Sequence, residues 1–155
     1  CSSDLTGVAG NTRNRLARLD SNGGIDPTFN PNANGTVNAI AVQPDGKVVA
    51  SGSFTSVGGQ TRNRLARVNP DGTLDGLFSL GADNTVLTLG LQADGKILAG
   101  GNFSNLGGVA VTFLGRLNLT IELDPAFIPA PDNIITSLAV QPDGNLHEKR
   151  AIAAR

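Results

Sequence analysis

The chain has 155 residues, of which 39% are hydrophobic and only 16% are charged, and its formal net charge is −1. Because there is no excess of positive charge to neutralise a phosphate backbone, the sequence argues against nucleic acid as a partner. No apolar run approaches the roughly 18 residues that a membrane-spanning segment needs. Twenty glycines and eight prolines indicate a chain that turns often.

The sequence repeats itself with a step of 49 residues. QPDGKVVASGSF begins at Gln43, QADGKILAGGNF begins at Gln92, and a third copy begins as QPDGN at Gln141. A fixed period of this size is the signature of a tandem array, in which each unit buries its apolar surface against its neighbours.

The first residue is open to two interpretations. Cys1 is the only cysteine, so no internal disulfide can form, and the chain contains no methionine, so residue 1 is not a translation start. One hypothesis makes Cys1 the lipidated cysteine of a mature lipoprotein. The other is favoured by the register: residues 1–6 align with residues 50–55, which places Cys1 inside a repeat of a longer array.

Each full repeat predicts four short antiparallel strands. Residues 1–29 supply the third and fourth strands of a partial unit, and the next unit shows the complete order. Its predicted elements are a strand at 37–43, a Pro-Asp-Gly turn, a strand at 47–54, a Gly-rich loop at 55–63, a strand at 64–69, a second Pro-Asp-Gly turn, a short strand at 73–78 and a link at 79–84.

Four antiparallel strands in a unit of this length are typical of a β-propeller blade, so the predicted class is an all-β propeller fragment. The first strand has one small face and one large face, as in Ala39 and Ala41 against Ile40 and Val42, which suits blades that crowd together near an axis. A β-solenoid is the alternative. The predicted units are a partial blade (1–29), two blades (36–78 and 85–127) and a partial blade (134–155), whose strand pattern is lost after Asn145.

The combination of AVQPDGK, a Gly-rich loop, LARxNPDGxLD and a closing phenylalanine resembles the delta-60 repeat family of bacterial β-propellers over residues 6–145. The resemblance implies a module of a large secreted or cell-surface bacterial protein that serves as a binding or structural scaffold. It supplies no active site, and the extracellular location is expected from the resemblance alone.

An arginine and an aspartate recur together in every repeat. Each arginine shares a strand face with a leucine two residues before it, and the aspartate follows eight residues later across the hairpin, so each pair is predicted to lie close together and at least partly buried. An anion-binding ring of arginines around the axis is the functional alternative. The pairs are Arg18 with Asp26, Arg67 with Asp75, and Arg116 with Asp124. The phenylalanines that close the repeats are predicted to fill the core.

A second set of arginines, Arg13, Arg15, Arg62 and Arg64, lies in two identical TRNRLAR segments. The third repeat has Val111 and Phe113 at the positions of Arg62 and Arg64, so the fold does not require these charges. They are interpreted either as a small basic patch at one rim or, preferably, as parts of a solvated loop.

The sequence offers no catalytic constellation. His147 is the only histidine, no nucleophile motif or phosphate-binding loop is present, and each Pro-Asp-Gly-Lys turn provides a single carboxylate for a metal. A non-enzymatic module without cofactor or metal is therefore expected. The alternative is the propeller part of a larger enzyme, such as a carbohydrate-active hydrolase, whose catalytic groups lie outside this chain.

The expected partners are the remaining blades of the parent chain and a protein or glycan ligand. Any ligand is expected at the rim that carries the longer loops, because variable loops on a rigid scaffold are where recognition usually occurs. The chain has neither Trp nor Tyr, which weakens the case for a sugar. Unpaired edges at both ends of the array predict that the isolated chain associates with itself.

Overall fold

The computed structural model describes residues 7–8, 10–120, 122–141 and 146–150. In these ranges the chain forms strands and turns but no helix. A membrane-spanning helix is thus absent from the described residues. Cys1 and the third Pro-Asp-Gly turn, at 142–144, lie outside the described residues. The lipidation hypothesis for Cys1 and the prediction for that turn stay predictions.

The described residues form fourteen strands in four units, which we call units 1 to 4 after the predicted ranges 1–29, 36–78, 85–127 and 134–155. The strands are β1 (Gly7–Val8), β2 (Asn11–Thr12), β3 (Val37–Val42), β4 (Val48–Gly52), β5 (Ser56–Val57), β6 (Gln60–Thr61), β7 (Leu65–Val68), β8 (Val86–Leu91), β9 (Ile97–Gly101), β10 (Asn105–Leu106), β11 (Val109–Ala110), β12 (Leu114–Leu117), β13 (Ile135–Val140) and β14 (Leu146–Arg150).

Units 2 and 3 have the same sheet topology. In unit 2 the central strand β4 pairs with β3 on one side and β7 on the other, and in unit 3 β9 lies between β8 and β12. Short hairpins, β5–β6 and β10–β11, connect the second and third strands of each sheet. Every described strand pair is antiparallel. This pairing agrees with propeller blades and excludes the solenoid alternative, whose rungs pair in parallel.

The predicted fourth strand is reduced to one bridge in units 1 to 3, and the predicted third strand of unit 1 is not formed beyond that bridge, because the described residues of unit 1 include no counterpart of β4 to pair with it. Val68 bridges to Leu74 in unit 2, and the same bridge recurs in units 1 and 3. The strand stops there because Asp75 turns the chain: its carboxylate accepts a hydrogen bond from the N–H of Leu77 at 3.0 Å, and its carbonyl accepts one from Phe78 at 3.2 Å. Local side-chain hydrogen bonds of this kind compete with strand pairing.

The first strands of the units lie side by side. β3 is next to β8, and β8 is next to β13, which places these strands on the inner side of the fragment. Asn38 of β3 donates a hydrogen bond across this boundary to the carbonyl of Val86, at 3.1 Å. The predicted packing of a large face on a small one occurs at Gly90, where an added Cβ would lie only 2.9 Å from Cγ2 of Val140.

The hydrophobic core lies between units. One cluster joins Leu16 and Phe29 of unit 1 to Phe54 and Val68 of unit 2, and a second cluster joins unit 2 to unit 3 in the same way. Phe29, Phe54 and Phe78 are at most 2% exposed. Each unit therefore depends on its neighbour for burial, as expected for a repeat array.

The C-terminal segment differs from the prediction. The strand pattern was expected to be lost after Asn145, but Leu146–Arg150 forms β14 and pairs antiparallel with β13. Backbone hydrogen bonds hold an edge strand in place whatever its side chains are, and charged residues are common on strands at the edge of a sheet. The exposed side chain of His147 fits that position.

The close approach of strands at Gly52 yields a first prediction. A Cβ on Gly52 would lie 1.9 Å from the carbonyl oxygen of Thr36, so the backbone must shift to accept Gly52→Ala. We expect the free energy of unfolding to fall by about 1–3 kcal/mol in denaturant titrations. The control is Gly76→Ala, which meets no atom within 4 Å and should change stability by at most about 0.5 kcal/mol. Equal effects of the two variants would contradict the packing at Gly52.

Candidate functional site

The recurrent arginine–aspartate pair is best seen in unit 2. Arg67 projects from β7, and Asp75 follows the bridge that ends the sheet. The Nη2 and Nε atoms of Arg67 each lie 2.8 Å from Oδ2 of Asp75. The two side chains are only 8% and 6% exposed, so this is a buried ion pair in which hydrogen bonds accompany the attraction of the charges.

Two further groups complete this site. Nζ of Lys47, the residue before β4, lies 3.1 Å from the same Oδ2 atom, and the guanidinium of Arg67 stacks 5.3 Å from the ring centre of Phe78. Burial alone would raise the pKa of Asp75, but the hydrogen bonds from Lys47, the Leu77 N–H and Arg67 together outweigh burial and lower that pKa. Asp75 is therefore held as a carboxylate.

The same arrangement recurs in units 1 and 3 with less burial. Arg18 and Asp26 are 2.7 Å apart with side chains 35% and 23% exposed, and Arg116 and Asp124 are 2.9 Å apart. Lys96 approaches Asp124 at 3.7 Å. The structure thus brings together all three predicted pairs. Each carboxylate occupies the Nε and Nη2 atoms of its arginine, which argues against the hypothesis of an anion-binding ring.

The other predicted arginines are bound to backbone carbonyls. Arg13 is 7% exposed and donates to the carbonyls of Thr12 at 2.8 Å and Asp26 at 3.2 Å. The preferred interpretation, a solvated loop, is therefore wrong for Arg13. Carbonyl oxygens replace water as acceptors for Nη1 and Nη2, which offsets most of the cost of burying the guanidinium, while its Nε is buried without a hydrogen-bond partner.

Arg15, Arg62 and Arg64 are partly buried, and each also donates to a carbonyl. Arg15 reaches Ala33 at 2.9 Å, Arg64 reaches Ala82 at 3.3 Å, and Arg62 bonds Thr61 at 2.7 Å. Arg15 and Arg64 adopt positive φ angles of 68° and 64°, and Phe113 does so at 64° in unit 3. The backbone conformation is thus independent of the arginine side chain, which agrees with the prediction that the fold does not require these charges.

Two recurrent contacts were missed at the level of the sequence. The first is the lysine that follows the Asp-Gly turn, Lys47 or Lys96, which reaches the buried aspartate of its unit. The second is an Asx side chain in the link before each hairpin: Asn34 accepts from the N–H groups of Thr55 and Ser56, and Asp83 accepts from those of Ser104 and Asn105. The 49-residue step between members of each set was the signal that could have found them.

The two rims of the fragment differ in character. Pro-Asp-Gly turns meet on one rim, where a Cβ at Gly46 would lie 3.3 Å from Pro70. The hairpins and links meet on the other, where a cavity of about 550 Å³ lies between residues 79–83 and the β10–β11 hairpin. We call the first the turn rim and the second the loop rim. The links of the loop rim read NPNANG, SLGADN and IPAPDN, so its sequence varies between units, whereas the sequence of the turn rim repeats.

The described residues contain no group of three or more His, Cys, Asp or Glu side chains that could hold a metal ion. The recurrent carboxylates are instead held by arginine, lysine and backbone N–H groups within their own unit. The arrangement is suited to fixing the shape of each blade and presenting its loops.

The burial of the unit 2 pair yields a second prediction. Asp75→Ala leaves Arg67 buried without its carboxylate, so we expect the free energy of unfolding to fall by about 3–5 kcal/mol. The matched control is Asp26→Ala, which removes the same contact where solvent reaches both side chains and should cost clearly less. Urea titrations of both variants measure the difference. Equal losses would show that burial does not govern the strength of the pair.

Three segments of the chain match a known protein family. Residues 3–29, 43–78 and 92–127 match the model of a family described as "Domain of unknown function (DUF5122) beta-propeller", and the matched segments end at Phe29, Phe78 and Phe127. No curated protein shows a significant match. A solved structure titled "Crystal structure of WD40 beta propeller domain of Doa1" is similar at 13% identity and a TM-score of 0.48, over 90% of this chain and 55% of that one. The chain thus spans about half the length of that propeller. Since the family model matches more than half of the residues, the chain belongs to this β-propeller family.

Proposed function

We propose that the chain is a non-enzymatic scaffold that binds a partner through its loop rim. The observation that carries this proposal is the contrast between the rims. Arg–Asp pairs, lysines and turns recur in register and fix each blade, whereas the links on the opposite rim change in every copy. A rigid frame that holds variable loops is the usual design of a binding surface.

A protein ligand is favoured over a glycan. Sugar-binding sites usually rely on Trp or Tyr rings, and the sequence has neither. The loop rim instead offers backbone groups, amides and small side chains around its cavity, among them Asn63, Ser79 and Asn105. Such groups suit hydrogen bonding to a polypeptide backbone.

The resemblance to delta-60 repeats supports a further part of the proposal, namely that the parent is a bacterial protein that is secreted or displayed on the cell surface. Within such a parent, further blades would continue the array and cover the outer sheet faces. The scaffold would then present its loop rim outside the cell.

Site-specific photo-crosslinking tests the binding surface. A benzophenone amino acid is placed either at Gln60, which is exposed on the loop rim, or at Pro70, which is exposed on the turn rim. We expect irradiation of intact producing cells to give partner adducts from position 60 and few or none from position 70. Adducts only from position 70 would overturn the assignment of the rim, and hydrolysis of polysaccharides by the purified chain would overturn the non-enzymatic role.

We also propose that the isolated chain associates with itself through its outer sheet faces. The large face of β3 is uncovered, with Ile40 53% and Val42 59% exposed, and on β13 Ser137 and Ala139 of the small face are exposed. Within the chain, the large face of β13 already packs on the small face of β8, where Val140 meets Gly90. A second copy can therefore repeat head to tail a contact that the chain makes within itself.

Sedimentation velocity over a concentration series tests this association. We expect the unmodified chain to shift to larger species as its concentration rises, and Ile40→Ser with Val42→Ser to remain monomeric, because the apolar surface that drives the contact has been removed. Leu77→Ser is the control, since Leu77 is 83% exposed but lies away from β3. A monomer at every concentration for the unmodified chain would refute the proposal.

A further inference from the structure

One position distinguishes unit 3 from the two units before it. Arg13 and Arg62 occupy equivalent places in units 1 and 2, and Val111 occupies that place in unit 3. All three residues follow the second strand of a small hairpin on the loop rim. The difference exchanges a long cationic side chain for a short apolar one.

Arg13 shows what the arginine does at this position. Its side chain crosses from the hairpin to the segment after the single bridge, where Nη1 donates to the Thr12 carbonyl and Nη2 to the Asp26 carbonyl. Arg62 makes the first of these contacts again, to the Thr61 carbonyl at 2.7 Å, and the Nε atoms of both arginines are buried without a hydrogen-bond partner. Unit 1 therefore buries an arginine of its own beside the hairpin, and unit 2 holds a partly buried arginine there.

Unit 3 has a cavity at this place. It has a volume of about 440 Å³ and lies between β11 and residues 123–129. Its walls include Val109, Val111, Leu123 and Phe127, and its lining also includes Ala110 and Asp124, the residues that correspond to Thr12 and Asp26 in unit 1. The Asp124 carbonyl accepts one hydrogen bond, from Phe127 at 3.2 Å, and a carbonyl oxygen has a second lone pair.

The segment that lines the cavity is more acidic than its counterpart in unit 2, while Asp124 itself is already paired with Arg116 and Lys96. Residues 60–85, which run from unit 2 through the link after it, contain three arginines and three aspartates. The equivalent residues 109–134 contain one arginine, one glutamate and two aspartates, because both arginines of the hairpin segment have been replaced. A positively charged group would restore the balance that unit 2 has by itself.

We propose that this cavity binds an arginine side chain from a partner polypeptide. The incoming guanidinium donates to the carbonyls of Ala110 and Asp124, as Arg13 does to Thr12 and Asp26, and its methylene stem packs on Val111 and Leu123. The inference rests on the proposed binding function and makes it specific: it names one site on the loop rim and the residue type that the site accepts.

Titration of the full chain with N-acetyl-arginine methylamide tests the site, followed by NMR on the methyl groups of Val111 and Leu123. We expect saturable shifts of these methyls. The neutral isostere, N-acetyl-citrulline methylamide, should bind about tenfold more weakly, because it lacks the charge-assisted hydrogen bonds. Equal binding of the two probes, or shifts spread over the whole surface, would overturn the proposal.

Two exchanges between units serve as matched variants. Val111→Arg supplies the missing side chain from within and should abolish the shifts, whereas Arg62→Val should open a second cavity and raise the stoichiometry from one probe to two. Both exchanges place a residue that another unit already carries, so folding is expected to be preserved. Leu77→Arg adds the same charge at an exposed position and should leave binding unchanged.

The variants also separate this inference from the proposed function. Retention of the probe by Val111→Arg would disprove the arginine site. If neither probe binds while crosslinking from position 60 still yields a partner, the loop rim remains the binding surface and only the arginine site is disproved.

Discussion

The carboxylate of Asp75 and its counterparts is the interaction on which each blade depends. One oxygen binds Arg67 from the third strand and Lys47 from the second, and the other oxygen binds the N–H of Leu77. A single side chain thus ties two strands together and turns the backbone out of the sheet towards the next unit. Because the carboxylate is buried, little solvent competes for these hydrogen bonds, and its loss leaves the charge of Arg67 without compensation.

The turn at this carboxylate decides where the core forms. Once the chain leaves the sheet after one bridge, Phe78 is carried into the space between units 2 and 3, where it packs with Val86, Phe103 and Leu106. Burial is therefore shared between neighbours, and no unit closes a core alone. The links of the loop rim contribute Ala33 and Ala82 to this shared core and keep a length of six residues, while most of their other positions change between copies. A constant frame with changeable loops is what the proposed binding role requires.

Several features of the site were predictable because they repeat or are close in sequence. Arg67 and Asp75 are eight residues apart across one tight turn, and their recurrence at a fixed step predicted the pair and its partial burial. Lys47 was not assigned to the pair, because it lies 28 residues from Asp75 and only the folded sheet brings the two together. Arg13 was misinterpreted for a related reason. Its segment is polar and rich in turn formers, and only the position of the Asp26 carbonyl makes its burial favourable.

The sequence by itself determined the period, the strands with their Pro-Asp-Gly turns, the all-β class and the recurrent pairs, since these depend on contacts within one unit and on backbone preferences of individual residues. The tertiary structure alone decided how the units share their core, that the last described segment forms a paired edge strand, and that Val111 lines a cavity at the place where unit 1 buries Arg13. These outcomes depend on distances between segments that are remote in the chain, and periodicity carries no information about such distances.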